Sequence, residues 1–233
     1  MSNQPTTASE APTLNKRIAI VDDHPMLREG FVSLIESQPG LICAWTASNT
    51  QEALQHLENE KPDLLTVDIS LPGRNGLELI KDALSLHPSL SILVISMYDE
   101  TFYAQRVLKA GAMGYIMKAA DRGTLLHAIN QVLEGGRYVS PAMSAQIMES
   151  FSGKQSARPV DGVQKLSDRE FEVFQLISEG KSTQQIADAL NISVKTAEVH
   201  RAHIREKLEL EDGASVLRFA VRWSESQRQA SGQ

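Results

Sequence analysis

Five short, unbroken apolar runs constrain the first half of the chain more than any other feature. They span residues 18–21, 41–45, 64–67, 92–95 and 114–117, with helically spaced apolar residues between them. Apolar runs of about four or five residues are typical of parallel strands buried on both faces. From residue 16 to about residue 134, the alternation predicts a doubly wound α/β domain with a five-stranded parallel sheet. Right-handed crossovers limit its topology to a few arrangements.

Polar and charged residues directly follow four of these runs. Asp22 and Asp23 follow the first run, Asp68 the third, Ser96 the fourth and Lys118 the fifth. Ligands bind outside the carboxyl ends of strands in such sheets, so we expect these side chains to converge on one rim. Carboxylates this close repel one another unless a cation intervenes, and hard oxygen ligands beside a phosphate suit Mg²⁺. The rim predicts phosphoryl transfer, with Asp68 as the nucleophile. The metal and Lys118 would offset phosphoryl charge, and Ser96 would donate a hydrogen bond.

Each of these residues has a plain structural interpretation when it is taken alone. The neighbouring Asp22 and Asp23 are then more typical of a helix N-cap beside Pro25. Asp68 could cap or brace a loop, Ser96 could be a turn residue, and Lys118 could be a solvated charge. Their occurrence at successive strand ends favours a shared site.

Charge and composition limit the classes of partner. The 233 residues have a net charge of −6; residues 1–159 contain 13 Lys and Arg against 17 Asp and Glu, and residues 160–233 contain 10 against 12. Any nucleic-acid site must therefore concentrate its positive charge on one face.

The lone Cys43 fits a reducing, cytoplasmic setting. No run reaches the roughly 18–20 apolar residues of a membrane span, and residues 1–15 predict a flexible tail rather than a signal peptide.

A connector separates this domain from a second, helical one. Gly135 and Gly136 end the last helix of the first domain, residues 140–151 predict a short linker helix, and residues 152–159 predict a flexible connector. The predicted divisions are a tail at 1–15, the α/β domain at 16–136, a linker at 137–163 and a four-helix domain at 164–228.

The helical domain opens with a capping box formed by Ser167 and Glu170. Its second and third helices are separated by a tight turn at residues 191–193. This pattern is typical of a helix-turn-helix, but taken alone it fits a plain helical bundle equally well. The residues that helical spacing places on the inner side of the third helix are Ala197, His200, Ile204 and Leu208.

The outer side of the third helix favours DNA binding over the plain bundle. It combines cations, one anion and small apolar groups. Arginine can bind guanine, glutamate can accept a hydrogen bond from cytosine, and small apolar groups can contact the thymine methyl; lysine and hydroxyl groups suit phosphate. The predicted DNA contacts are Lys195, Thr196, Glu198, Val199, Arg201, Ala202 and Arg205.

Residues 16–134 resemble a response-regulator receiver domain. The resemblance rests on Asp22-Asp23, Asp68-Ile69-Ser70-Leu71-Pro72-Gly73, Ser96, Tyr115 and Lys118. It implies that Asp68 accepts phosphate from a histidine kinase. Asp23 would bind Mg²⁺ directly and Asp22 through water, with the Ser70 carbonyl as a further ligand. Ser96 and Tyr115 would form a switch pair in which the hydroxyl moves to the phosphate and the ring follows inward. His24 is given no metal role, because Pro25 marks a helix start.

The second domain resembles the LuxR-type DNA-binding domain. The matching segments are Leu166-Ser167-Asp168-Arg169-Glu170, Gly180-Lys181-Ser182, Ile186-Ala187 and Ser193-Val194-Lys195-Thr196, followed by His200, Ile204 and Lys207-Leu208. The whole chain is thus similar to the NarL/FixJ class of response regulators. That class implies a regulator rather than an enzyme, which dimerises on phosphorylation and binds double-stranded DNA. Glu198 departs from the frequent lysine, so no target sequence is implied.

Two other functional interpretations remain open at this point. A doubly wound domain could be an enzyme, such as a flavin protein or a phosphatase, although the rim has no glycine-rich phosphate loop. Alternatively, the chain could be a phospho-regulated protein-binding regulator that does not bind DNA, a minor alternative that the acidic balance keeps open.

Overall fold

The computed structural model describes residues 15–151 and 162–230. The predicted tail, apart from Asn15, and the predicted connector at 152–159 lie outside these residues. Within them, no helix is both long and apolar enough to cross a membrane.

The first domain alternates strands and helices throughout. Its elements are β1 (Lys16–Val21), α1 (Pro25–Glu36), β2 (Leu41–Ala47), α2 (Thr50–Asn59), β3 (Leu64–Val67), α3 (Gly76–Leu86), β4 (Ser91–Ser96), α4 (Glu100–Ala110), β5 (Gly114–Met117) and α5 (Arg122–Leu133). All strand pairs are parallel, in the order β2-β1-β3-β4-β5. The predicted doubly wound sheet is confirmed, and its strand order reverses between β1 and β3, where such folds bind ligands.

The sheet is covered on both faces, which explains the unbroken apolar runs. One core contains Ile35 of α1 and Ile129 of α5. The other contains Leu57 of α2, Ile80 of α3 and Tyr103 of α4. Residues of β3 are buried along its whole length, so the residue that follows it is delivered to the rim from a fixed strand.

The second domain is helical, as predicted. After α6 (Pro141–Phe151) and a 3-10 turn at Val163–Lys165, it consists of α7 (Asp168–Ser178), α8 (Thr183–Ala189), α9 (Val194–Lys207) and α10 (Gly213–Ala230). The predicted capping box of Ser167 and Glu170 is present at the start of α7. Asn191 has φ 50° in the turn between α8 and α9, a left-handed conformation that asparagine tolerates better than most residues. The arrangement is a helix-turn-helix followed by a supporting helix.

The two domains pack against each other through α4 and α7. The Tyr103 ring of α4 meets the Phe171 ring of α7 edge to face, with centroids 5.3 Å apart. Phe171 in turn packs edge-on against Trp223 of α10. We refer to the contacts that residues 163–172 make with the first domain as the docking interface.

Candidate functional site

The rim of the sheet brings the predicted residues together around Asp68. The backbone of Asp68 continues the sheet, because its N–H donates to the Val21 carbonyl at 2.9 Å, and the Asp22 N–H donates to the Ala47 carbonyl at 3.1 Å. Asp22 and Asp68 are each only 2% exposed. Two carboxylates are thus held at neighbouring strand ends with little water to screen them.

Lys118 offsets part of the negative charge of this pair. Its Nζ lies 2.6 Å from Asp22 Oδ2 and 2.7 Å from Asp68 Oδ2, and the lysine side chain is almost fully buried. Burial opposes the charge on this amine, but the carboxylates of Asp68 and Asp22 outweigh that effect and raise the pKa of Lys118. The backbone that carries this side chain is fixed as well, because the Lys118 N–H donates to the Ser96 carbonyl at 2.7 Å.

A cation-binding cluster lies beside this pair. Oxygen or nitrogen atoms of Asp22, Asp23, His24 and Asp68 all lie within 4.8 Å of one another. Asp23 Oδ1 is buried and accepts no hydrogen bond of ordinary geometry in the described residues, although His24 Nδ1 is 2.7 Å away. Three hard carboxylates with one oxygen left unsatisfied are a donor set that fits a small divalent cation such as Mg²⁺.

The loop at residues 68–76 is folded back tightly on Asp68. The N–H groups of Leu71 and Gly76 both donate to the Ile69 carbonyl, at 2.9 and 3.0 Å, and the Ser70 N–H donates to Asp68 Oδ1 at 3.3 Å. A Cβ at Gly76 would lie 2.1 Å from the Asp68 carbonyl oxygen, so only glycine fits there. We call this segment the 68–76 loop.

Ser96 and Tyr115, the predicted switch pair, are both fully buried next to the rim. The Tyr115 hydroxyl donates to the Tyr98 carbonyl at 2.7 Å. Burial is the main cause that raises the pKa of Tyr115, while the nearby Ser96 hydroxyl partly offsets it. The Tyr98 ring stacks on Tyr103 at 4.9 Å, so the β4–α4 connection links the rim to α4.

The outer face of α9 is open to solvent. Ser193 caps the helix, because its hydroxyl accepts from the Thr196 N–H. Ala197 and Ile204 are fully buried, as the helical spacing predicts. The predicted contacts that are exposed are Lys195, Thr196, Glu198, Val199, Ala202 and Arg205, and Arg201 is partly exposed. Within residues 15–151 and 162–230, Lys195, Arg201 and Arg205 form no salt bridge, so their charges face the solvent unpaired.

Comparison with known proteins identifies both halves of the chain. Residues 18–130 match the response regulator receiver domain, and residues 164–220 match the bacterial regulatory proteins of the luxR family. The oxygen regulatory protein NreC of Staphylococcus carnosus is 34% identical over 210 residues, which cover 88% of this chain and 97% of that protein. The chain belongs to the LuxR-type response regulators.

Solved structures of LuxR-type response regulators share this architecture. RcsB from Salmonella enterica serovar Typhimurium, bound to the promoter rprA with the phosphomimetic BeF₃⁻, is 26% identical with a TM-score of 0.60; the match covers 89% of this chain and 98% of that one. A LuxR-family response regulator from Aurantimonas sp. SI85-9A1 is 34% identical with a TM-score of 0.56, over 59% of this chain and 99% of that one. The family consists of phosphoacceptor regulators rather than classical enzymes.

In this response regulator, sequence reasoning missed two contributors near the rim. Arg169 and Glu172 of α7 approach the 68–76 loop from the second domain. In the sequence, Glu172 stands between the apolar residues Phe171 and Val173, which is a detectable signal. Nothing in the sequence indicates which surface its side chain meets. The His24 ring lies with its Nδ1 2.7 Å from Asp23 Oδ1, and the expectation that His24 has no metal role stays a prediction.

Proposed function

We propose that this protein is a two-component regulator in which Asp68 is the phosphoacceptor. A phosphohistidine of a kinase is the expected donor. An Asp68 oxygen forms the new bond to phosphorus as the bond from phosphorus to the imidazole nitrogen breaks, leaving an acyl phosphate. The observation that carries the proposal is Lys118 Nζ at 2.7 Å from Asp68 Oδ2, because an ammonium at that place can offset charge on the incoming phosphoryl oxygens.

The metal site belongs to the same proposal. Asp22, Asp23 and Asp68, with the Ser70 carbonyl, would hold Mg²⁺. When bound, Mg²⁺ supplies positive charge beside the phosphoryl oxygens. The unsatisfied Asp23 oxygen supports this assignment.

The output of the regulator is DNA binding through α9. Three unpaired cations on an exposed face are what contact with phosphates and guanine requires. The RcsB structures with bound promoter DNA support this assignment, and one of them contains two RcsB dimers bound to two parallel DNAs. We infer that this chain binds paired half-sites as a homodimer, with Ser96 and Tyr115 reporting the phosphorylation of Asp68. A target on the chromosome of a bacterium implies a cytoplasmic location.

Two measurements test the proposal. Incubation with radiolabelled acetyl phosphate and Mg²⁺ should label the full chain, and Asp68→Asn should remove the label; persistent label on the variant excludes Asp68 as the acceptor. A gel shift on DNA upstream of neighbouring genes should show a complex that weakens as salt rises. A chain that is labelled but binds no such DNA would instead be the regulator that binds only protein.

A further inference from the structure

The outer face of α9 carries one carboxylate among its cations. Glu198 lies about one turn into this helix, which begins at Val194, and its side chain is exposed. In a helix-turn-helix, the second helix lies in the major groove, and its N-terminal residues contact the edges of the bases. Because α9 is that second helix, Glu198 stands where the proposed function places base contacts.

The protein itself does not satisfy this carboxylate. Lys195 and Arg201 stand three residues before and after Glu198. In residues 15–151 and 162–230, however, Glu198 forms no salt bridge, and its side chain accepts no hydrogen bond of ordinary geometry. The position four residues further on, where a helical cation pairs best with a preceding glutamate, is Ala202.

The two buried glutamates of the same domain differ from Glu198 in this respect. Glu172 Oε2 lies 2.7 Å from Arg169 Nη1, and these residues have the same spacing as Glu198 and Arg201. Glu170 Oε2 lies 2.6 Å from Lys207 Nζ. A spacing of three residues thus permits an ion pair in this domain, and the Glu198 carboxylate remains available to a ligand.

A carboxylate at this place restricts what the helix can bind. It accepts hydrogen bonds and donates none, so it is repelled by phosphate oxygens. Guanine presents the acceptors N7 and O6 to the major groove, and thymine presents the acceptor O4. The donors in that groove are the N4 amine of cytosine and the N6 amine of adenine. A favourable contact of Glu198 therefore requires one of these two bases.

The groups beside each amine distinguish cytosine from adenine. Adenine N6 lies between two acceptors, its own N7 and the O4 of the paired thymine. Cytosine N4 has an acceptor on one side, the O6 of the paired guanine, and the C5–H group on the other. A carboxylate is thus repelled from both sides at adenine but from one side at cytosine, so cytosine is the better partner.

We propose that Glu198 is a specificity-determining residue, which selects cytosine at one position of each DNA half-site by accepting a hydrogen bond from its N4 amine. The inference rests on the proposed binding of DNA through α9. The exposed Val199 and Ala202 beside Glu198 have apolar side chains, which do not compete for the amine. The exposed Lys195 and Arg205 can bind phosphates and so offset the repulsion between this carboxylate and the DNA backbone.

Selection from a library of random-sequence DNA duplexes tests the inference. The full chain, incubated with acetyl phosphate and Mg²⁺, is mixed with the library, and the bound DNA is recovered by gel shift and sequenced. We expect the wild type to enrich sites with cytosine at a fixed position of each half-site. Replacing that cytosine by any other base should weaken binding by about fivefold or more, as measured by fluorescence anisotropy.

Three substitutions of Glu198 should give three different results at that position. Glu198→Gln should shift the preference to adenine, because glutamine pairs with adenine N6 and N7. Glu198→Lys should shift it to guanine, because lysine donates to guanine O6 and N7. Glu198→Ala should remove the preference at this position and leave the rest of the enriched site unchanged. Since Glu198 is exposed, none of these substitutions should disturb the fold.

Glu211→Lys is the matched control for the change in charge. Glu211 is exposed in the same domain but lies outside α9, so this variant should keep the preference for cytosine. The inference is overturned if the wild type prefers another base at the position that the Glu198 variants alter, or if Glu211→Lys changes that position as Glu198→Lys does. It is also overturned if all Glu198 variants keep the wild-type base preferences, because the carboxylate would then act only through its charge. A wild-type chain that enriches no sequence would instead overturn the proposed DNA binding, and the inference with it.

Discussion

The rim of the sheet and the outer face of α9 hold their charges in opposite ways. At the rim, Lys118 joins two buried carboxylates at 2.6 and 2.7 Å. On α9, Lys195 and Arg205 are exposed and have no ionic partner in the described residues. Buried charges must be compensated within the protein, whereas exposed ones are free to be compensated by a ligand. The rim is thus a nearly complete site, and under the proposed function the α9 face is one half of a site whose other half is DNA.

The strongest test of this contrast removes the compensating charge at the rim. Lys118→Met would leave Asp22 and Asp68 buried together without a counter-charge, so we expect the free energy of unfolding to fall by about 3–5 kcal/mol. Urea denaturation measures the loss, and millimolar Mg²⁺ should restore part of it. Lys109→Met, which removes an exposed lysine of α4, should cost less than about 0.5 kcal/mol. Equal effects from the two substitutions would contradict the contrast.

Glu172 extends the comparison to a buried carboxyl at the docking interface. Its pKa in the folded protein is raised from 4.5 to about 7, so folding favours its protonated form. That contribution is fully present below pH 4.5 and is lost as the pH rises through about 7. Urea denaturation at each pH gives the free energy of unfolding of the wild type minus that of Glu172→Gln. We expect this difference to fall by about 2–3 kcal/mol from pH 4.5 to pH 8.

Glu170 is the control for that titration. Burial opposes its ionisation, but Lys207 and Ser167 lower its pKa. The free energy of unfolding of the wild type minus that of Glu170→Gln should therefore fall as the pH falls. This pH dependence has the opposite sign to the one expected for Glu172. Two differences of the same sign would show that the pH dependence does not come from these local environments.

The exposed face should show the reverse balance between stability and binding. Arg201→Ala and Arg205→Ala should each weaken DNA binding by about 1–3 kcal/mol if the arginine contacts a base, or lower the salt dependence by about one unit if it contacts a phosphate. Their unfolding free energies should stay within about 0.5 kcal/mol of the wild type. Fluorescence anisotropy across a salt series measures the binding, with the exposed Arg137→Ala of the first domain as control. Undiminished binding would place the reading face elsewhere.

The smallest effect concerns a neutral buried group beside the rim. Tyr115→Phe removes the hydrogen bond to the Tyr98 carbonyl and should lower the free energy of unfolding by about 1 kcal/mol. Tyr138→Phe is the matched control, because no hydrogen bond of its hydroxyl occurs in residues 15–151 and 162–230. Thermal unfolding distinguishes the two, and a larger loss from Tyr138→Phe would contradict the role given to the Tyr115 hydroxyl.

The sequence predicted the rim well because strand order and side-chain chemistry there depend on local patterns. Asp68 follows four consecutive buried residues, and parallel strands bring such residues to one edge whatever the details of packing. Ala197 and Ile204 were likewise predictable from helical spacing.

The docking interface could not be predicted in the same way. Arg106, Arg169 and Glu172 acquire their roles only when two separately patterned domains meet, and periodicity describes which side of a helix is buried but not against what. Residues Glu170 to Ile177 of α7 are all buried, but α7 packs chiefly on α9 and α10 of its own domain, so the burial of this helix does not by itself reveal the surface of the first domain.

Arg106 has a consequence for how this interface can change during evolution. Two of its hydrogen bonds end on the main-chain carbonyls of Val163 and Leu166, which every amino acid provides. The sequence around the start of α7 can therefore drift while the arginine still finds its acceptors. The reverse does not hold, because no other side chain offers a planar fork with donors in several directions. We expect related chains that keep this docked arrangement to retain an arginine at the position of Arg106, even where residues 163–166 differ.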